Sequence, residues 1–272
     1  MSATDRRLDH LSAAAATLGY AVARPRSAAI ASVVGLTALG WLWLGLMNAQ
    51  GQSTLAALCR AQFGVGEWSG SQFVTVLAMW CAMVLAMMLP STAPMILTYA
   101  EIANTAARKR QRVVSPFVLT VGYVAVWLGF AAVAASAHFG FARGAAGLEP
   151  ATGSALSGAV FFGAGLYQFS ALKQACLRLC RQPFQFFFVN WATTPHGVFR
   201  LGLRQGVYCL GCCWAMMTVM FVAGAMNVLW MAMLGGLMTI EKMTGARHFS
   251  TILGAGLVTV GAGFMLSGFG AF

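Results

Sequence analysis

Long apolar runs broken by short basic connections dominate this sequence, and that pattern limits the fold before any single residue is considered. The runs occupy residues 28–48, 72–103, 115–138, 154–175, 205–223, 225–241 and 249–270, to within a few positions. A hydrocarbon layer about 30 Å thick needs roughly 20 apolar residues as α-helix, and only a helix or a closed barrel satisfies its own backbone hydrogen bonds in lipid. The expected fold is therefore all-α, a polytopic transmembrane helical bundle of about seven spans. Composition agrees: 8% of residues are charged, where soluble domains carry about one quarter. Residues 1–27 are expected to form a cytoplasmic N-terminal tail and residues 28–272 a single integral membrane domain. The apolar run that follows the tail is too long for a signal-peptide core, so no cleaved targeting segment is expected.

Orientation follows from the positive residues, because Lys and Arg beside spans are retained on the cytoplasmic side. With the N-terminus inside, Arg6, Arg7, Arg24, Arg26, Arg108, Lys109, Arg110, Arg112, Lys173, Arg178, Arg181, Arg200, Arg204, Lys242 and Arg247 fall inside, and only Arg60 and Arg143 of the 17 Lys and Arg residues fall outside. That asymmetry supports a cytoplasmic N-terminus, an odd number of spans and a multi-pass location in the bacterial inner membrane.

The net charge of +11 would suggest nucleic acid in a soluble chain. Here the basic residues sit between apolar runs and read as topology signals, so no nucleic-acid partner is expected. The longest connection, from about Leu177 to Arg204, mixes Arg178, Arg181, Arg200 and Arg204 with Phe184, Phe186, Phe187, Phe188, Trp191 and Phe199, as a segment lying among lipid headgroups would. The second apolar run exceeds one crossing and contains Pro90 and Pro94, so it should tilt, kink or continue into the cytoplasm. The fifth and sixth runs meet around Gly224, as a tight hairpin or as one broken helix.

Sulfur is the unusual chemical resource. The sequence holds 16 methionines and seven cysteines. In the fifth run, steps of three and four residues put Cys209, Cys213, Met216 and Met220 on one helix face, with Cys212 and Met217 beside them. Thiols and thioethers together favour Cu(I) over hard cations, making copper the expected cofactor or cargo. Met79, Met83 and Met87 form a parallel stripe in the second run, and Cys176 and Cys180 are one turn apart after the fourth, where they could serve as an access or exit site. Methionine is also an ordinary filler of irregular cores, and free cysteine a small hydrophobe; the fifth-run face stands out by joining the two. The cysteines have no paired-framework spacing, and no disulfides are expected. His10, His138, His196 and His248 share no ligand spacing, which disfavours a zinc or iron centre.

Two carboxylates lie within or at the ends of apolar runs. Glu101 is a candidate for an ion or proton path opening to the cytoplasm. Glu241, followed by Lys242, reads first as an interface marker and second as part of such a path. Gln168 and Lys173 in the fourth run are candidates to pair with these carboxylates, because an intramembrane lysine requires a counter-charge. No nucleophilic triad, phosphate-binding glycine loop or catalytic carboxylate pair is present.

Three segments carry a resemblance: Ala86 to Pro94 (AMMLPSTAP), Leu166 to Cys180 (LYQFSALKQACLRLC), and Gly206 to Lys242 with YCLGCCWAMM, GAMNVLWM and a closing EK. From about residue 72 to residue 243 the chain resembles the bacterial predicted metal-binding integral membrane proteins of unknown function, some of which are labelled copper chaperones. The matching positions are Met87, Met88, Pro90, Gln168, Lys173, Cys176, Cys180, Cys209, Cys212, Cys213, Trp214, Asn227, Trp230, Glu241 and Lys242. The resemblance implies a metal-binding membrane domain connected with copper, and assigns these residues no individual roles.

The sequence thus points first to a protein that binds or hands on Cu(I), with the bilayer and a metal-donor protein as partners. An alternative is a non-catalytic accessory or assembly subunit of a larger membrane complex. A membrane oxidoreductase ranks last, because no histidine ligand set accompanies the sulfur.

Overall fold

The computed structural model describes residues 25–50, 70–145, 150–223, 228–244 and 247–269. Among them are nine helices and no strands: α1 (Pro25–Gln50), α2 (Gly70–Arg108), α3 (Pro116–Ala145), α4 (Pro150–Gln168), α5 (Ala171–Arg181), α6 (Pro183–Val189), α7 (Pro195–Ala223), α8 (Val228–Thr244) and α9 (Arg247–Phe269). The fold is all-α. Among the described residues four segments are long and apolar enough to cross a membrane, namely Phe73–Arg108, Pro116–His138, Pro195–Val222 and His248–Leu266. The pair Gly153–Gln168 and Ala171–Arg181, bent by 63°, makes a fifth if counted as one span. Of the other two apolar runs, the first contributes the shorter apolar helix Val33–Leu46 and the sixth the 17-residue α8.

Two runs take a shape that hydropathy alone does not give. The run read as 154–175 divides after Gln168, where Phe169 and Ser170 close the helix with three-residue hydrogen bonds to Leu166 and Tyr167. Ser170 then caps α5 by accepting from the Lys173 backbone N–H at 3.2 Å. The cap redirects the chain from an apolar helix into an amphipathic one that carries Lys173, Arg178 and Arg181, so the run ends as a span at the bend. The run read as 72–103 is a 39-residue helix with both prolines inside it. At 1.5 Å per residue it is about 58 Å long, nearly twice the hydrocarbon thickness and more than one straight crossing needs. Pro90 removes the hydrogen bond that the Ala86 carbonyl would otherwise accept. Trp41 of α1 supplies the replacement, donating from Nε1 to Ala86 O at 3.1 Å.

The helices pack as α1 on α2, α3 on both α2 and α7, and α4 on α9, while α7 also meets α4, α5 and α8. Glycine allows the closest of these approaches. A Cβ on Gly122 of α3 would run into the Phe199 carbonyl of α7, and one on Gly202 of α7 into the Leu119 carbonyl of α3. Such small-residue contacts let membrane helices approach until backbone meets backbone. The outer faces are apolar and exposed, with Leu39, Leu42 and Leu46 on α1, Val133 on α3, and Ile252 and Leu266 on α9; membrane-spanning helices present such faces to lipid.

Beyond the bundle, α6 packs on the extended end of α2. Tyr99 anchors it, stacking on Trp191 and meeting Phe187 edge-on, while Phe184 and Phe188 stay exposed.

The expected hairpin at residues 223–225 and the N-terminal tail fall at or within residues outside those described, as do Arg60 and Asn227.

Candidate metal centre

The site is built on α7. Its residues 209, 212 and 213 are spaced to share a face, and that face is turned into the bundle, where Cys209, Cys212, Cys213, Met216, Met217 and Met220 are all buried. The sulfurs of Cys209, Cys212 and Cys213 lie within 4.8 Å of one another, with Cys212 Sγ 3.4 Å from Cys213 Sγ. The 63° bend after α4 aims α5 across α7, and Cys180 from its last turn brings a fourth sulfur to 4.0 Å from Cys212 Sγ. The Cys212 thiol also donates to the Cys209 backbone carbonyl at 3.1 Å.

Two further groups touch Cys209. The Tyr123 hydroxyl of α3 lies 2.9 Å from its Sγ. Lys242 of α8 donates to the same sulfur at 3.0 Å and to Ser91 Oγ of α2 at 2.8 Å. Helices α3, α7 and α8 therefore meet at one thiol, with α2 joined to it through Lys242. The preceding residue, Glu241, points elsewhere: it pairs with Lys173 of α5 at 2.8 Å, the two side chains being 1% and 0% exposed. Ser250 of α9 donates to the same carboxylate at 2.7 Å, and Gln168 accepts from the Lys173 ammonium. Arg181 closes the end of the network by donating to the Glu241 backbone carbonyl.

The residues singled out in the sequence therefore fall into distinct places. Cys209, Cys212, Cys213 and Cys180 come together. Cys176 is half-buried one turn before Cys180 and faces Gly211, where a Cβ would sit 2.6 Å from its sulfur. Met83, Met87, Met216 and Met220 are buried in the same core, Met87 packed against Gly235 of α8. Gln168, Lys173 and Glu241 form the adjoining charged network, so Glu241 is a buried tie between α5, α8 and α9. Glu101 is exposed on the extended part of α2 and lines a separate groove with Phe187 and Trp191. Sequence reading did not anticipate the roles of Tyr123, Ser91 and Lys242 at the thiols. A lysine in a largely apolar helix was the available signal, since such a charge needs a partner inside the protein.

The donor set suits a soft ion. Two sulfurs sharing one ion at about 2.3 Å each, the usual zinc–thiolate distance, stand at most about 4.6 Å apart. The observed spread of 4.8 Å or less meets that limit with small side-chain adjustments. The three clustered thiols are soft donors, which suit Cu(I), zinc and similar ions better than magnesium or calcium.

Fold and site together define a helical membrane protein with a buried cysteine cluster of metal-binding type. Over residues 77–265 the chain matches the family model PpoB2, described as copper chaperone, and it belongs to that family. No curated protein and no solved structure matches it.

Proposed function

We propose that this protein binds Cu(I) in the bacterial inner membrane and hands it on, with Cys209, Cys212 and Cys213 as principal ligands and Cys180 as an exchanging fourth. The carrying observation is the convergence of three buried thiols within 4.8 Å on one helix. Membership of a family described as copper chaperone supports it. Met216 and Met220 continue the same face of α7 one and two turns further on, and Met83 and Met87 lie in the surrounding core; these thioethers are secondary donors for an ion moving along the bundle. In the proposed topology the chain crosses seven times, α7 is the fifth span, and the thiols sit toward the inner leaflet.

The network beside the thiols is part of this reading. Burying a cluster that becomes anionic on metal binding is costly without positive charge nearby, and Lys242 supplies that charge in direct contact with Cys209. The Lys173–Glu241 pair holds α5, and with it Cys180, against α8. The test is elemental analysis of protein purified anaerobically in detergent and loaded with Cu(I). The expected result is stoichiometric copper in the wild type and background copper in the Cys209→Ser/Cys213→Ser variant. Background copper in both would end the proposal.

A further inference from the structure

A cavity of about 220 Å³ leads to the thiols, partly open to the outside and lined by Ser91, Arg181, Gln205, Cys180, Cys209 and Lys242 among others. Its charge is one-sided. Arg181 and Lys242 are both cationic, and among the described residues no carboxylate lines the cavity. The nearest buried carboxylate, Glu241, is already engaged by Lys173 and Ser250. The Arg181 guanidinium donates to a neutral backbone carbonyl, so its charge remains available, and a guanidinium keeps that charge at any physiological pH. A cavity of this sign repels a bare cation and draws in an anion.

A second feature specifies the visitor further. Gln205 is 2% exposed, lines the cavity, and its Oε1 accepts no hydrogen bond among the described residues. A buried amide oxygen without a donor is costly and normally finds one. The cavity therefore offers two cations for negative charge, one acceptor for an N–H group, and sulfur at its inner end. Its volume is below the roughly 300–1,000 Å³ of drug-sized ligand sites, which favours a small molecule over a protruding loop of a carrier protein.

Building on the copper reading above, we infer that this cavity receives copper as an anionic Cu(I) complex of a low-molecular-weight cysteinyl thiol, and not as a free cation. Arg181 takes the carboxylate, Gln205 Oε1 accepts from the amino or amide N–H, and the Cu(I)–sulfur end faces Cys180 and Cys209. Transfer is ligand exchange. Two protein thiols each form a sulfur–copper bond while two donor sulfur–copper bonds break, and the protein thiols' two protons leave on the two departing donor thiols. Copper stays Cu(I), the complex stays singly negative, and no oxidant or reductant is required. Lys242 remains beside the anion throughout.

The test measures copper loading rates of the full chain in detergent, anaerobically, from two donors: the bis-cysteine complex of Cu(I), an anion, and tetrakis(acetonitrile)copper(I), a cation. Bound copper is quantified after rapid desalting. Loading of the wild type from the anionic donor should slow as salt is raised, and Arg181→Gln should slow it about tenfold at low salt, within the range that electrostatic steering spans. Arg181→Lys should restore most of the rate, and final stoichiometry should be unchanged in both variants. Loading from the cationic donor should not slow in Arg181→Gln. Equal responses to the two donors, or a salt-independent wild-type rate from the anionic one, would overturn the inference while leaving the copper site standing. Failure of the wild type to take copper from either donor would instead overturn the copper reading, and this inference with it.

Discussion

Replacing Glu241 by Gln removes one member of a buried ion pair and leaves the other in place. At 2.8 Å and an effective dielectric constant of about 20, the Lys173–Glu241 attraction is roughly 6 kcal/mol. Desolvating the two ions costs several kcal/mol each, so the intact pair contributes little net stability. The single variant is a different matter. It strands an ammonium that is fully buried, with Gln168 and a neutral amide as its remaining partners, and the expected loss is about 3–5 kcal/mol. Thermal unfolding in detergent, followed by helical circular dichroism, should show a much lower midpoint for Glu241→Gln. The double variant Lys173→Met/Glu241→Leu should recover most of it, because an apolar pair of similar volume avoids the desolvation cost. The same pair holds α5 against α8, so the single variant should also weaken Cu(I) binding through displacement of Cys180. A Glu241→Gln stability within about 1 kcal/mol of wild type, or a double variant no better than the single, would refute the argument that the pair is a mutually dependent buried tie.

Three further outcomes are expected. Trp41→Phe leaves the Ala86 carbonyl, freed by Pro90, without its donor, and should lower stability by about 1–3 kcal/mol in the same unfolding assay. Gly202→Leu forces side-chain atoms into the α3 backbone and should cost about 1–3 kcal/mol or prevent folding; because Tyr123 reaches Cys209 across that contact, any folded fraction should bind copper poorly in competition titrations with a chromophoric Cu(I) chelator. Cys180→Ala should keep the copper stoichiometry but lower affinity roughly 10–100-fold in the same titration, the range seen when groups supporting a metal site are removed.

The parts of this structure that could be read from the sequence are those governed by local periodicity. Backbone hydrogen bonding in lipid requires helices wherever apolar runs are long, and this fixed the fold class. Three- and four-residue steps placed Cys209 and Cys213 on a common face of α7, with Cys212 beside them. Arrangements set by tertiary geometry were not legible. Ser170 ends an apolar helix and caps an amphipathic one, and the 63° angle between them is set by packing that no hydropathy pattern reports. That bend decides which cysteine of α5 meets the cluster: Cys180 faces Cys212, whereas Cys176 packs on Gly211. Glu241 and Lys242 are neighbours on α8, yet their side chains diverge, one toward Lys173 and Ser250, the other toward Cys209 and Ser91. The Lys242–Ser91 contact joins residues 151 positions apart, a distance that no short motif reports. Tyr123 had no distinguishing signal, being one aromatic residue among many in an apolar helix.

The central claim, that the α7 thiols hold Cu(I), is tested most directly by X-ray absorption at the copper edge on anaerobically loaded protein. The account predicts a Cu(I) edge and a nearest shell of two or three sulfurs in the wild type, with that sulfur shell lost in Cys209→Ser/Cys213→Ser. A nearest shell of nitrogen or oxygen, or a sulfur shell that survives the double substitution, would contradict it.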